Sequence, residues 1–112
     1  MIDHAVYDAL CAAVGPETMT ELLEKVATDL GTSRADLVRA LGSADRKLAR
    51  TTSHVLISVA GAVGATRLQA CAQSLNRAAH AEDADAVASQ IGGCLAEIDA
   101  AVDFVESRRR AG

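Results

Sequence analysis

The strongest constraint on the fold is an apolar repeat near the C-terminus that fits an α-helix. The repeat advances by four, three, four, three and four residues. Its members are Val87, Ile91, Cys94, Ile98, Ala101 and Val105. This spacing puts all six side chains on one face, as in a helix of a bundle. We therefore predict a long helix over residues 83–109, in which Gly92 and Gly93 either loosen the helix or allow close packing.

The same periodicity predicts helices over residues 2–13, 17–41, 44–62 and 65–79. Gly15 and Pro16 separate the first two, Ser43 is the expected N-cap of the third, and Gly64 ends it. Gly31-Thr32-Ser33 interrupts the pattern of the second helix; we favour one long helix with a weak point there, and the alternative is two helices with Ser33 as an N-cap. The expected inward-facing residues of the first, second and fourth of these helices are Val6, Leu10, Ala13, Met19, Leu22, Val26, Leu30, Leu37, Leu41, Leu68, Cys71, Leu75 and Ala78. Because the connections are short, we predict an all-α, antiparallel up-down four-helix bundle with a short extra N-terminal helix.

Composition agrees with one helical domain over residues 1–112. Half of the residues are apolar, 24 are alanine, and only Tyr7 and Phe104 are aromatic. No apolar run approaches the ~18 residues of a membrane span, and the N-terminus does not read as a secretory signal. The three cysteines lack the spacing of a zinc site or a disulfide framework, so buried free thiols in a cytoplasmic protein are expected.

The charges fall into three blocks along the chain. The net charge is −4 for residues 1–44, +4 for residues 45–80 and −4 for residues 81–112. An acidic protein with this distribution is a poor nucleic-acid binder. The central basic block suits an acidic partner surface or a phosphoryl group, although a solvated face of mixed charge is the commoner explanation of surface charges.

The basic block contains His54, within the helix predicted over residues 44–62. One apolar seam of this helix consists of Leu48, Thr52, Val55, Val59 and Ala62. His54 precedes Val55 and is turned from it by about 100°, so its ring is expected at the edge of the core, within reach of solvent. A single histidine in a helix usually takes part in no reaction. We assign no role to His4 or His80.

The residues around His54 resemble the signature of histidine-containing phosphotransfer (HPt) domains. The matching positions are His54-Val55-Leu56, Gly64-Ala65, Leu68, Cys71 and Leu75-Asn76. The resemblance implies a helical bundle that carries a phosphoryl group on His54 between receiver domains. It implies response-regulator receiver domains and a hybrid histidine kinase as partners, a monomeric chain, and no cofactor of its own, with Mg²⁺ on the partner receiver.

The resemblance also assigns supporting residues. Asn76 stands where the family has a glutamine or glutamate beside the histidine, and is one methylene shorter than glutamine. Ile57 replaces the family lysine and Ser58 the family glycine, so Lys47, Arg50 or Ser58 are the candidates to hold the phosphoryl charge. The small residues Ser58 and Gly61 leave room for a receiver, and Ile57 adds an apolar docking contact.

Other chemistries fit less well. The chain has no Gly-rich phosphate loop, so we expect a phosphocarrier and not an ATP-dependent kinase. Ser53 and Ser58 lie on the same helix as His54 without an oriented acid, which does not indicate a hydrolase. The alternatives are a non-catalytic HPt-like adaptor that binds receivers or other partners through the His54 face, and a bundle that dimerises through an apolar face.

Overall fold

A computed structural model describes residues 2–111, and this part of the chain contains four α-helices and no strand. The helices are α1 (His4–Ser43), α2 (Arg46–Val63), α3 (Thr66–His80) and α4 (Ala84–Ala111). The predicted all-helical class is confirmed. No helix of the described residues combines the length and hydropathy needed to cross a bilayer.

Helix α1 has a kink where the sequence predicts a boundary between two helices. Gly15 has φ 82° and ψ 166°, a backbone conformation that favours glycine, and Pro16 follows it. The segment before the kink begins after Asp3, whose carboxylate accepts hydrogen bonds from the backbone N–H groups of Ala5 and Val6. The expected short helix thus forms the first arm of one kinked helix. After the kink, α1 runs without a break through residues 31–33 to Ser43.

The turn between α1 and α2 differs from the prediction. Asp45, and not Ser43, is the N-cap of α2, because its carboxylate accepts the backbone N–H of Leu48 at 3.0 Å. Ser43 lies in the last turn of α1, where its hydroxyl donates to the carbonyl of Arg39. Ala44 between them adopts the left-handed conformation, with φ 53°, and reverses the chain. Gly64, with φ 77°, ends α2 as predicted.

The core lies between four helices that each pack against their neighbours in the chain. Helix α1 also packs against α4, whereas α2 and α4 contact each other little. All six members of the apolar repeat in α4 are buried, which confirms that prediction. Gly92 and Gly93 are exposed, with open space where a side chain would project, so they do not serve close packing.

The predicted seam of α2 is wrong by about one residue of rotation. The buried residues are Ala49, Thr52, Ser53, Leu56, Ala60 and Val63. Of the predicted seam only Thr52 is buried, whereas Val55 is 45 % exposed and Ala62 is also exposed. Because α2 packs against α3 as well as α1, small residues face inward and allow α3 to approach closely.

Three inward-facing predictions in α1 are also wrong, since Val6, Ala13 and Leu41 are exposed. At the N-terminal end the buried residue is Tyr7, whose ring packs edge-on against Phe104 of α4 at a centroid distance of 4.9 Å. An aromatic pair buries more apolar surface than valine or alanine, which explains why this arm turns Tyr7 toward α4.

Candidate functional site

His54 lies near the middle of α2 and is exposed. The residue before it, Ser53, and the second residue after it, Leu56, are fully buried. The predicted access of the imidazole to solvent is therefore confirmed. Within residues 2–111, no hydrogen bond or ion pair involves the ring of His54, so both ring nitrogens are free of protein partners.

Two cations without acidic partners lie on the N-terminal side of His54. Arg50 precedes His54 by four residues, on the same face of α2, and Lys47 lies seven residues before it. Lys47 is exposed and Arg50 is half-buried, and neither forms an ion pair within the described residues. Arg50 therefore places an unneutralised positive charge about one turn from the imidazole, and Lys47 places another about two turns from it.

The other arginines of α2 and α3 donate to protein groups, and one of them, Arg77, donates to the hydroxyl of Ser74 at 3.1 Å without an acidic partner within residues 2–111. Arg46 forms an ion pair with Glu82 at 3.3 Å, and it donates to the carbonyl of Ala79 at 3.1 Å. Arg67 pairs with Glu97 of α4 at 3.1 Å. The positive block in the sequence is thus partly neutralised by the acidic block that follows it, and Lys47 and Arg50 stay unneutralised next to His54.

The charges of Lys47 and Arg50 oppose the dipole of α2. The first turn of α2 contains no acid, and the N-terminus of a helix carries a partial positive charge that favours anions. A cation there costs roughly 0.3–1 kcal/mol, an effect that fades beyond the first turn, so Lys47 bears more of it than Arg50. The arrangement concentrates positive potential at the N-terminal end of the surface of α2 around His54, which we call the histidine face. It consists of Lys47, Arg50, His54, Ile57, Ser58 and Gly61.

The C-terminal side of His54 is uncharged. Ile57 is half-buried, Ser58 is exposed and Gly61 is half-buried. On the side facing α1, the exposed Val55 borders a cavity of about 200 Å³ that Leu48 and Thr51 also line. The sequence did not indicate Val55 as a surface residue, because its apolar side chain fits the expected seam equally well.

Asn76 makes contacts that differ from those expected of it. Its side-chain amide donates to the hydroxyl of Ser53 at 3.1 Å and to the backbone carbonyl of Arg50 at 3.4 Å. It forms no hydrogen bond with the ring of His54. Ser53 is fully buried, and its hydroxyl also donates to the carbonyl of Arg50 at 2.8 Å. Asn76 thus binds α2 immediately beside His54, through Ser53 and the backbone.

Gln69 is a site residue that the sequence analysis missed. Its side-chain amide donates to the carbonyl of Ile57 at 3.5 Å. A Cβ atom at Gly61 would lie 2.6 Å from the Gln69 amide nitrogen, so this glycine makes space for Gln69. Gln69 precedes Asn76 by seven residues, two turns of α3, and this spacing was the available signal.

A family model described as Hpt domain matches residues 18–104, more than three quarters of the chain. The chain belongs to the HPt domain family. No curated protein and no solved structure gives a match. The matched range includes the part of α1 after the kink, all of α2 and α3, and most of α4. HPt domains take part in phosphorelay histidine phosphotransfer and interact with receiver domains of response regulators and with kinases.

The rest of this HPt domain holds few other reactive groups. Within residues 2–111, no three His, Cys, Asp or Glu side chains cluster as metal ligands. The three cysteines are free, as predicted, but only Cys94 is buried, whereas Cys11 and Cys71 are half-buried. Burial raises the pKa of Cys94 to about 12, so its thiol stays protonated and unreactive near neutral pH. The buried and hydrogen-bonded Ser53 cannot act as a hydrolytic nucleophile.

Proposed function

We propose that this HPt domain is a phosphorelay carrier that accepts a phosphoryl group on His54 from a receiver phosphoaspartate and passes it to a second receiver. The observation that carries the proposal is the exposed imidazole of His54 beside two cations, Lys47 and Arg50, without acidic partners. An accessible nucleophile and compensation of negative charge are what this transfer requires from the carrier.

The proposed step forms one bond and breaks one. The lone pair of the neutral ring nitrogen forms an N–P bond while the P–O bond to the receiver aspartate breaks, and the carboxylate leaves with the electron pair. The proton on the other ring nitrogen is retained or exchanged with water, because no protein group within residues 2–111 binds it. Transfer to a second receiver reverses the step.

The groups that this chain contains determine which parts of the reaction the receiver would have to supply. The receiver would supply Mg²⁺ and the phosphoaspartate, and this chain would supply the nucleophile and, through Lys47 and Arg50, an attractive field for the phosphoryl group. Ile57, Ser58 and Gly61 would form an uncharged surface for docking. The donor receiver would belong to a hybrid histidine kinase and the acceptor to a response regulator.

We also propose the oligomeric state, the compartment and the helix topology of the chain. One monomeric chain in the cytoplasm, folded as a single domain with helices alternating up and down, would suffice for this role. The short connections between the four helices and the free cysteines support that arrangement.

A second candidate function is a non-catalytic adaptor that binds receivers through the same face. Ile57 favours it, because this uncharged side chain occupies the position where the family carries a lysine. The absence of charge on the C-terminal side of His54 leaves one cation fewer than the family pattern to hold a transferred phosphoryl group.

The deciding experiment is transfer from a phosphorylated receiver in the presence of Mg²⁺. We expect an acid-labile, base-stable phosphoryl group on the wild type and none on His54→Gln, with unchanged helicity. His80→Gln is the control, since His80 is also exposed at a helix end, and it should accept normally. Labelling of His54→Gln, or its loss in His80→Gln, would contradict the assignment. Receiver binding without labelling of the wild type would favour the adaptor.

A further inference from the structure

Helix α3 reaches the backbone of α2 on both sides of His54. The Asn76 amide donates to the carbonyl of Arg50, four residues before His54, at 3.4 Å. The Gln69 amide donates to the carbonyl of Ile57, three residues after His54, at 3.5 Å. The two amides are seven residues apart on α3 and the two carbonyls seven apart on α2, so the contacts are in register. The turns that carry His54 are therefore held between two amide groups of the neighbouring helix.

The Arg50 carbonyl is the more heavily used of the two acceptors. In an α-helix the backbone N–H of each residue donates to the carbonyl of the residue four positions earlier. The Arg50 carbonyl therefore accepts the backbone N–H of His54. The hydroxyl of Ser53 also donates to it at 2.8 Å, and the Asn76 amide bonds both to this hydroxyl and to the carbonyl. Three donors thus converge on the peptide group that anchors the backbone of His54.

Hydrogen bonds of this kind fix the relative position of two helices more narrowly than apolar contacts do. Near the N-terminus of α2, Arg46 also donates to the Ala79 carbonyl of α3 at 3.1 Å, but around His54 the buried side chains of the two helices, such as Leu56, Ala60, Ala72 and Leu75, are aliphatic and form no hydrogen bonds. A buried polar group without its partner is costly. Consistent with this, every buried side-chain nitrogen and oxygen atom in the described residues is hydrogen-bonded.

We propose that Asn76, acting through Ser53 and the Arg50 carbonyl and assisted by Gln69, is a positioning residue that fixes the His54 turn of α2 and so sets the direction in which the imidazole meets the receiver. The inference rests on the proposed phosphotransfer at His54 for its functional consequence. Since the ring has no protein partner within residues 2–111, its direction depends on the backbone beneath it. A misplacement of about 1 Å at a reacting group can lower a rate by about a hundredfold.

The first test is single-turnover transfer from a phosphorylated receiver at increasing receiver concentrations. Asn76→Ala and Ser53→Ala should each lower the maximal rate by about tenfold or more, and should change the half-saturating concentration less than twofold. The matched control is Gln73→Ala, because Gln73 is an exposed amide on α3 without a hydrogen bond in the described part of the chain. Asn76→Gln, which keeps the amide, should retain more of the rate than Asn76→Ala.

The double variant separates positioning from general weakening. If Asn76 acts through Ser53, Ser53→Ala/Asn76→Ala should be no slower than the slower single variant, whereas independent effects would multiply. A lower urea midpoint with unchanged maximal rate, or multiplication of the two effects, would overturn the inference.

A second measurement does not depend on phosphotransfer. In the unphosphorylated protein, Asn76→Ala should accelerate hydrogen exchange of the His54 backbone N–H at least several-fold, with no comparable change at Ile98 of α4, which is buried elsewhere in the core. Unchanged protection of the His54 N–H in Asn76→Ala would overturn the inference even if this variant transfers slowly. Failure of the wild type to accept any phosphoryl group would instead overturn the proposed function, and the exchange result would still decide this inference.

Discussion

The side-chain amide of Asn76 on α3 lies 3.1 Å from the hydroxyl oxygen of Ser53 on α2, the residue directly before His54. Ser53 is 0 % exposed, and a buried hydroxyl without partners would cost about 1–3 kcal/mol. Here the hydroxyl both donates and accepts, so the core contains a satisfied polar pair behind the exposed histidine. The contact between α2 and α3 directly beneath His54 therefore includes a buried polar pair.

Lys47 and Arg50 are expected to lower the stability of α2 while they attract a partner. Replacing both by glutamate removes two cations near the positive end of the helix dipole and should raise the free energy of unfolding by a few tenths to about 1 kcal/mol. The same variant should slow association with an acidic receiver, and added salt should slow the wild type more than the variant. Urea unfolding and transfer rates at low and high salt measure the two effects.

The control for this prediction is Arg110→Glu. Arg110 lies in the last turn of α4, where a cation is favourable, and has no ion pair within residues 2–111. This change should lower stability slightly and leave transfer unaffected. Transfer rates of the Lys47/Arg50 variant that equal the wild type at every salt concentration would leave the basic pair without a role in docking.

Two glycines should respond to alanine in opposite directions. Gly64 has φ 77°, and a Cβ there would lie 2.7 Å from the carbonyl oxygen of Asp3. Gly64→Ala should therefore destabilise the fold by at least about 1–2 kcal/mol. Gly92 is exposed within α4 and nothing lies within 4 Å of a Cβ there, so Gly92→Ala should stabilise the helix by roughly 0.5–1 kcal/mol. Thermal or urea unfolding of both variants measures the two changes in stability, and changes of the same sign would contradict the prediction.

The sequence predicted α4 far better than α2, for a physical reason. The buried face of α4 consists mainly of large aliphatic residues such as Ile91 and Ile98 at strict helical spacing, so the hydropathy pattern identifies only one buried face. The buried face of α2 includes Ala49, Ser53 and Ala60, which hydropathy alone does not mark, while the exposed Val55 imitates a core residue. A helix that packs through small residues conceals its inner face from pattern analysis.

The exposure of His54 could be predicted, but its surroundings only in part. The family motif and the helical period both indicated an exposed ring. The partners of Asn76 could not be predicted, because they depend on how far α2 is rotated toward α3, and that rotation was misjudged by one residue. An amide on the neighbouring helix was expected from the motif, whereas its contact with Ser53 requires the three-dimensional packing.

The ion pair between Arg34 and Asp99 links α1 to α4 at 2.8 Å and should make stability depend on pH. The hydrogen bond from Arg34 lowers the pKa of Asp99 below its ordinary value of 3.8. The pair therefore contributes stability above that value and loses it as the pH falls through the lowered pKa. Asp99→Asn should be less stable than the wild type near neutral pH, and the difference should disappear in strong acid.

The measurement for Asp99 is urea unfolding of both proteins across the acidic range. Asp103→Asn is the control, since Asp103 is exposed on α4 and forms no ion pair within residues 2–111. A gap between wild type and Asp99→Asn that stays constant down to strongly acidic pH would contradict the assignment. Because both partners are exposed, high salt should also reduce the gap.

Ile57 is the residue of the histidine face that departs furthest from the family pattern, and Ile57→Lys should partly restore it. Three residues after His54, a lysine lies on the same helical face, close enough to attract a phosphoryl group on the ring. One such exposed contact is worth about 0.5–1 kcal/mol, so acceptance or the lifetime of phospho-His54 should rise by a few-fold with a generic receiver. With the natural receiver the same change can weaken docking, because an apolar contact is lost.

Transfer kinetics of wild type and Ile57→Lys against a panel of receivers test this prediction, with Ile57→Met as the control that keeps an apolar side chain. If the wild type transfers from its own receiver and the lysine variant gains a few-fold only with others, Ile57 acts as a docking contact in a working carrier. If the wild type accepts nothing from any receiver and Ile57→Lys restores acceptance, the adaptor role is the correct one. A loss of transfer with every receiver in the lysine variant would contradict the prediction that a cation at this position assists acceptance.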